Sequence, residues 1–329
     1  MVKVESPRGD DSRAFPPFAP NGESAYFHAL NRGKRSVVVE NDDLRRLAET
    51  ADVVIDNVGS ARLGFGPADA PERLVWCSIT GHGADRGGRA MDPSLQASMG
   101  LMELTGERGG PPLRVPVPLI DFMTGMYAAQ SILAALWQVE RTGRGAHLDC
   151  ALLDSAAALT SVVALFSLSG DFEPGRIGTE SYARVPSAVF AAADGAHVQV
   201  VALHERHWEA LCEALGRHEW REDPRSATGD ARLANRELVH RRIADVIATA
   251  PAAEWVERIN AAGGMCEPLR TVGDAWRDPL LSERGLIGKV DGGPFDYPLP
   301  VVSLARPGEL VPGPSLGQHT DEVLAERQV

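Results

Sequence analysis

The stretch that decides the fold runs from Val117 to Asp154 and reads VPLIDFMTGMYAAQSILAALWQVERTGRGAHLDCALLD. A short apolar run ends in one acid, Asp121, and the spacing of apolar residues after it predicts a helix from Met123 to Glu140. An acid at a helix start is either an ordinary helix cap or a functional carboxylate whose charge the helix N-terminus stabilises. The apolar face of this helix is predicted from Met126, Ile132, Leu133, Leu136 and Trp137.

Strands and helices alternate on both sides of this stretch. Strands are predicted at Ser36–Glu40, Val53–Asp56 and Leu74–Ile79, a helix at Asp42–Thr50, and a strand followed by a helix within Leu148–Leu168. This order is typical of an α/β fold with a doubly wound parallel sheet, which binds ligands beyond the carboxyl ends of its strands. Asn57 and Gly81–Gly83 each follow a strand, so we expect a ligand beside them.

The second half of the chain changes in character. Pro174–Pro186 is rich in Gly, Pro and Arg and predicts a linker, and Ala188–Ala192 and His197–Ala202 predict a β-hairpin around Asp194-Gly195. Further helices are predicted at Glu205–Leu215, Asn235–Thr249, Ala253–Ala262 and Leu316–Glu326. We therefore predict a large α/β domain at 1–168, to which 290–329 return, a linker at 169–187 and a small α+β domain at 188–289.

Composition restricts the classes of partner. The chain has 329 residues and a net charge of −12, which argues against binding nucleic acid through bulk electrostatics. No uninterrupted apolar run approaches the roughly 18 residues of a membrane span, and the N-terminus has no apolar signal region, so we expect a cytoplasmic protein. The four scattered cysteines form no C-x-x-C pattern and are expected to be free thiols.

Several motifs, taken together in their order, resemble the class III CoA-transferases, the family of formyl-CoA and carnitine CoA-transferases and α-methylacyl-CoA racemases. They are VKVESPRGDDSR at the start, Asn31–Val37, ADVVIDN, CSITGHG, Asp92–Gly106, DGAHVQV, DPRSATGDAR and SLGQHTDEVL. The resemblance implies a Rossmann-like large domain, a smaller α+β domain and an interlocked homodimer, with a heterodimer with a homologue as an alternative. Relative to the family pattern, the first βα unit before the VKVE strand is expected to be missing.

The resemblance also implies a chemistry centred on Asp121, which stands at the position of the family's catalytic aspartate. Its carboxylate would attack the thioester of an acyl-CoA and form a mixed anhydride, and then an aspartyl-CoA thioester. The expected partners are an acyl-CoA and a small carboxylic acid, with coenzyme A as substrate. No permanently bound cofactor is expected. No metal is expected either, because His204 and His207 lack a third ligand in the sequence.

The CoA site is inferred from the same resemblance. Lys34 and Arg62 are expected to contact phosphates, Asn57 and Val58 to lie near the adenine and pantetheine, and Arg89 to be a further phosphate ligand. For each cation the alternative is an ordinary solvated surface charge.

Three functions remain open from the sequence. In racemases of the family a histidine assists the aspartate, whereas this chain has Met91 at that place, and a thioether cannot act as a base; we therefore favour a transferase. The alternatives are a racemase or epimerase that uses another base, and a truncated, non-catalytic subunit that binds CoA. Asp92 is either a second site carboxylate or a helix cap, and Arg184 is a candidate partner for a substrate carboxylate.

Overall fold

The computed structural model describes residues 1–88, 90–170, 172–289, 294–295, 298–300 and 311–327. Its strands are β1 (Val2–Glu5), β2 (Arg35–Val38), β3 (Val53–Asp56), β4 (Val75–Thr80), β5 (Ala146–Ala151), β6 (Ser187–Ala191), β7 (His197–Val201), β8 (Met265–Pro268), β9 (Ile287–Gly288) and β10 (Leu299–Pro300). Its first seven helices are α1 (Ala25–Asn31), α2 (Asn41–Glu49), α3 (Ser60–Leu63), α4 (Asp92–Ser98), α5 (Leu101–Leu104), α6 (Leu119–Thr142) and α7 (Leu152–Ser169). The remaining helices are α8 (Glu205–Ala214), α9 (Gly229–Ala234), α10 (Arg236–Ile247), α11 (Ala252–Ala261), α12 (Val272–Ala275), α13 (Pro279–Glu283) and α14 (Thr320–Arg327).

The chain divides into two compact units. The first unit comprises Met1–Met91, Ile120–Ser155 and Val272–Val329, and the second comprises Asp92–Leu119 and Ala156–Thr271. These units differ from the predicted domains mainly because Asp92–Leu119 joins the second unit and the segment after Val272 joins the first. The predicted domain boundaries themselves stay a prediction.

The first unit contains parallel sheets, as the alternating pattern predicted. One sheet pairs β1 with β2, and the other has the order β3-β4-β5, with every neighbouring pair parallel. Among the described residues these strands are not joined into one sheet, so the Rossmann-like, doubly wound arrangement is not confirmed. Trp76 on β4 packs edge-on against Phe65 at 5.6 Å between ring centroids, and both belong to the apolar core over this sheet.

The second unit contains an antiparallel sheet of the order β6-β7-β8 covered by helices, and the predicted hairpin is confirmed as β6 and β7. Its core includes three tryptophans, of which Trp208 and Trp220 stack at 6.3 Å between ring centroids. The predicted helices after the hairpin are confirmed to within a few residues as α8, α10 and α11.

The long helix α6 is confirmed, and it buries a different face from the apolar one that the sequence predicted. Its buried residues are Ile120, Thr124, Ala128 and Ala135, at helical spacing. Large residues of the predicted apolar face are exposed to solvent in the single chain, since Leu133 and Trp137 are each 67% exposed. Small side chains let α6 lie close to its own unit, whereas the large apolar ones point away. By length and composition, α6 and α7 could each cross a membrane, a test that the core helix of a soluble protein also passes.

The predicted C-terminal helix begins later than expected, at Thr320 rather than Leu316. The residues before it bind β2 instead, since Gly317 N–H donates to Ser36 Oγ and His319 N–H donates to Ser36 O. The helix itself ion-pairs with Arg35 through Glu322 and Glu326, at 3.1 and 2.6 Å. The end of the described chain therefore contacts β2 of the first unit.

Candidate active site

A large cavity lies beyond the carboxyl ends of β3 and β4, within the first unit. Its volume is ≈1120 Å³, slightly above the usual range of about 300–1,000 Å³ for ligand pockets and enough for a ligand larger than a simple metabolite. Most of its lining comes from the loop after β3, from the end of β4 with the glycine-rich loop that follows, and from the start of α6. His147 on β5, Leu152 at the start of α7 and Asp11 complete it. This is the sheet edge where the sequence predicted a ligand.

Asp121 reaches this cavity from the first turn of α6. The helix begins at Leu119, directly after Pro118, so Asp121 is its third residue and the interpretation as an N-cap is wrong. An exposed carboxylate in this turn interacts favourably with the helix dipole, and it faces the space where a ligand would lie.

Two buried hydroxyls support the start of this helix. The Thr124 hydroxyl lies 2.7 Å from the carbonyl oxygen of Ile120 and 2.8 Å from the hydroxyl of Ser155 at the start of α7. Thr124 and Ser155 are almost fully buried. This contact ties the first turn of α6 to Ser155, which belongs to the same unit, and so limits the movement of Asp121.

The loop after β3 is held by a buried acid that the sequence analysis did not single out. Asp56 ends β3, and its Oδ1 accepts the N–H groups of Val58 at 2.8 Å and Gly59 at 3.0 Å. Gly59 has a φ of +85°, which glycine adopts without strain. As a result Asn57 and Val58 are fixed against the cavity, together with Arg62 from the following helix α3. Three of the predicted CoA-binding residues thus line the same cavity as Asp121.

Asp149 holds the glycine-rich loop after β4 in the same way. It lies on β5 and accepts the hydroxyl of Thr80 at 2.8 Å and the N–H of Ala84 at 2.6 Å. Gly81 lets this loop fold back tightly, because a Cβ there would lie 2.8 Å from the backbone nitrogen of Ala90. The loop therefore has a defined path along the cavity wall.

A Ser–His pair forms part of the cavity wall. Nε2 of His147 lies 3.0 Å from the hydroxyl of Ser78, and both residues line the cavity. The sequence analysis assigned a role to neither residue. Only the parallel register of β4 and β5 puts them on one face of the sheet, and no local pattern reveals that register. Since Ser78 is only 8% exposed, the pair is better suited to binding a ligand than to nucleophilic attack.

The remaining predicted residues differ in their placement. Lys34 does not line the cavity; it donates to Asn31 Oδ1 at 2.9 Å, and burial lowers its pKa, with the charge of Lys3 acting in the same direction. Arg89 lies outside the described residues. Met91 lines the cavity and is 71% exposed.

Two further candidates lie in the second unit. Asp92 begins α4 and accepts an N–H of Gln96 at 2.6 Å, without lining the cavity. Arg184 lines a smaller cavity of ≈420 Å³ in the second unit and not the one that contains Asp121.

Among the described residues beside the cavity there is neither a metal cluster nor a reactive thiol. Within the described part of the chain, no group of three or more His, Cys, Asp or Glu side chains is arranged to hold a metal ion. Cys77, next to Ser78, is fully buried, and burial together with the neighbouring Cys150 raises its pKa to about 12. A thiol with that pKa stays protonated at neutral pH and is a poor nucleophile.

Comparison with known proteins gives the family. A sequence model described as CoA-transferase family III matches residues 1–320. Among curated relatives, the succinyl-CoA:mesaconate CoA-transferase of Haloarcula hispanica is 35% identical and the alignment covers 100% of this chain and 89% of that protein. The succinyl-CoA:glutarate CoA-transferase of Mus musculus is 32% identical over 99% of this chain and 79% of that protein.

Solved structures agree with this result. A CAIB/BAIF family protein from Brucella suis is 30% identical and superposes with a TM-score of 0.81 over 99% of this chain and 91% of that chain. The Mycobacterium tuberculosis protein Rv3272 is 28% identical, with a TM-score of 0.83 over 97% of this chain and 89% of that chain. The expected family is therefore confirmed, and this chain belongs to CoA-transferase family III and is an enzyme of that class.

Proposed function

We propose that the enzyme moves CoA from an acyl-CoA donor to a small carboxylic acid through covalent intermediates on Asp121. The observation that carries this proposal is the position of Asp121. It is an exposed carboxylate in the first turn of a helix, in one cavity with Asn57, Val58 and Arg62. A carboxylate suits such a reaction because an anhydride keeps the acyl group activated without ATP.

The first half of the reaction transfers CoA to the enzyme. The carboxylate of Asp121 attacks the thioester carbonyl of the donor, forms a mixed anhydride and releases the CoA thiolate. The thiolate then attacks the aspartyl carbonyl of the anhydride, which gives an aspartyl-CoA thioester and releases the donor acid as its carboxylate. The N–H groups at the start of α6 favour negative charge and so help to stabilise the oxyanions of both steps.

The second half runs these steps in reverse with the acceptor. Its carboxylate attacks the aspartyl-CoA thioester, which yields a second mixed anhydride and again frees the CoA thiolate. Attack of the thiolate on the carbonyl of the acceptor forms the new acyl-CoA and restores the carboxylate of Asp121. Coenzyme A is thus a substrate that remains bound between the two halves, and no other cofactor takes part.

We propose a dicarboxylic acid as the acceptor and succinyl-CoA as the donor. The support is the similarity to relatives named for succinyl-CoA with mesaconate or glutarate. A different relative, the acetyl-CoA:oxalate CoA-transferase of Acetobacter aceti, is 32% identical over 88% of this chain and 79% of that protein. Acetyl-CoA and oxalate therefore belong in the substrate panel.

The test is to trap the intermediate and to compare two matched acids. Both Asp121 and Asp154 are the third residue of a helix, α6 and α7, and both are exposed, but only Asp121 lines the cavity. With succinyl-CoA and hydroxylamine, we expect a hydroxamate on Asp121 by mass spectrometry. Asp121→Asn should abolish it and lower turnover by at least about 10³-fold, as expected for loss of a nucleophile. Asp154→Asn should leave both unchanged.

Other results would point to other functions. A hydroxamate that persists in Asp121→Asn would contradict the assignment of the nucleophile. CoA binding without adduct or transfer, but with exchange of the substrate's α-proton for deuterium, would indicate a racemase. CoA binding with neither activity would indicate a non-catalytic subunit.

We further propose that the enzyme is a cytoplasmic dimer of two copies of this chain. The large apolar side chains left open on α6 and α7 support this, since Leu133, Trp137 and Val162 are each more than 60% exposed. Apolar patches of this kind are typical of protein interfaces. The four free cysteines are compatible with a reducing compartment.

Light scattering after size-exclusion chromatography tests the dimer. We expect a mass of two chains, and a shift towards one chain for Trp137→Glu, because a charge would be buried in the interface. The exposed change Arg141→Glu, at the end of the same helix, is the control for added charge. A wild-type monomer with full activity would contradict the proposal, and native mass spectrometry would reveal a different second chain.

A further inference from the structure

Gly125 occupies an unusual position beside Asp121. It lies one helical turn further along α6, and both residues line the cavity. Side chains of a helix point towards its N-terminus. Any side chain at position 125 would therefore project towards the carboxylate of Asp121. Thr124, between them, is buried and forms its contacts inside the unit.

The protein itself does not require glycine here. A Cβ built on Gly125 would meet no atom within 4 Å among the described residues, and its backbone is ordinary α-helix. Gly145 shows the opposite case, since a Cβ there would lie 2.0 Å from the carbonyl oxygen of Leu74. Glycine is unfavourable in the interior of a helix because it loses the most conformational freedom on folding. The open space over Gly125 thus serves neither the backbone nor packing within the chain.

We propose that Gly125 determines the length of the acyl group that the enzyme transfers. The proposal rests on the function proposed above, in which the acyl group is bonded to the carboxylate of Asp121. The Cβ positions of residues one turn apart on a helix lie about 5–6 Å from each other, and the carboxylate of Asp121 lies beyond its own Cβ. With bonds of roughly 1.5 Å, an acyl chain reaches that distance at about its fourth atom. Acyl groups of four or five carbons, such as those of dicarboxylic acids, extend over Gly125, whereas an acetyl group ends before it.

The experiment is a chain-length series on variants of this one position. Wild type, Gly125→Ala and Gly125→Val are assayed with straight-chain acyl-CoA donors from acetyl to glutaryl. We expect kcat/KM for succinyl-CoA and glutaryl-CoA to fall about 10- to 100-fold in Gly125→Val, as for steric exclusion of a few methylene groups. Acetyl-CoA should change by less than about threefold, and Gly125→Ala should show a smaller change in the same direction.

Control measurements separate an effect on acyl length from an effect on folding, CoA binding or assembly. Ala253→Val makes a β-branched substitution at an exposed position of α11, away from the cavity and from the exposed apolar residues of α6, and it should leave the chain-length series unchanged. Gly125→Ala should raise Tm by about 2 °C, because alanine favours the helix and meets no clash. The affinity for free CoA and the mass in solution should stay as in wild type.

Each contrary result has a defined meaning. An equal loss for short and long acyl groups, or weaker binding of free CoA, would overturn the proposal, since the space would then hold the pantetheine arm. A change in the mass in solution would overturn it in favour of a contact with another chain. If wild type transfers CoA and the Gly125 variants show the same dependence on acyl chain length as wild type, only the role of Gly125 fails. If wild type transfers none, the proposed function fails and this inference with it.

Discussion

Asp56 connects the chemistry of single residues with the shape of the cavity. Its carboxylate is buried and accepts two backbone N–H groups of the loop that contains Asn57 and Val58. Hydrogen bonds to a charged group contribute about 1.5–3 kcal/mol each when they are buried. The loop therefore depends on one side chain that does not itself need to touch the ligand.

Replacement of Asp56 should weaken CoA binding. We expect Asp56→Ala to raise the Kd for CoA about tenfold, equivalent to about 1.4 kcal/mol, because both loop hydrogen bonds are lost. Asp56→Asn should have a smaller effect, since its amide oxygen still accepts a hydrogen bond. Isothermal titration calorimetry measures the difference. Asp52→Ala, an exposed acid before the same strand, is the control, and an equal effect of Asp52→Ala would show that the loop is not the cause.

The sequence predicted some site residues and not others for a physical reason. The family motifs and the ends of strands and helices singled out Asp121, Asn57 and Arg62, and the structure places these three at one cavity. Ser78, His147 and Asp149 come together only through the register of β4 with β5, which depends on contacts between distant parts of the chain. Lys34 was expected at the ligand, but its nearest polar partner is Asn31, three residues earlier.

At the scale of elements, the strands were predicted best. Val53–Asp56 agrees at both ends, because an apolar run bounded by polar residues leaves little choice of register. The start of α6 was predicted four residues late, since Asp121 was taken to stand before the helix rather than in its first turn. The end of α14 was predicted well and its start was not, because residues 316–319 bind β2 instead of continuing the helix.

The glycine-rich loop after β4 offers a prediction at this scale. Asp149→Ala removes the acceptor for Ala84 N–H and for the Thr80 hydroxyl, so the loop should open more often. We expect faster amide hydrogen exchange in residues 81–88 and a fall in kcat/KM of about tenfold, with Tm nearly unchanged because Asp149 is exposed. The exposed acid Asp154, changed to alanine, is the control. Unchanged exchange in the loop would mean that Asp149 does not hold it.

For the whole molecule, the two ends of the described chain are joined by a set of polar contacts in the first unit. Buried Glu5 binds Arg13 and Ser36, and Ser36 in turn accepts the N–H of Gly317. His28 belongs to the same set of polar contacts, since its Nδ1 accepts the N–H of Gly313 at 3.0 Å. Because Nδ1 is the acceptor here, the contact requires that this nitrogen carry no proton.

The contribution of these contacts to the free energy of unfolding should depend on pH in a defined direction. Burial lowers the pKa of His28, an effect that Arg13 reinforces and the carboxylate of Glu23 opposes. The unfolded chain therefore binds a proton at higher pH than the folded one, so the contribution of His28 is complete above pH 6.5 and is lost as pH falls below it. We expect the free energy of unfolding, measured with urea, to fall between pH 7.5 and 5.5 by less in His28→Gln than in wild type. His218→Gln, at an exposed position, should keep the wild-type dependence. Equal slopes for wild type and His28→Gln would show that the Gly313 contact does not need a neutral imidazole.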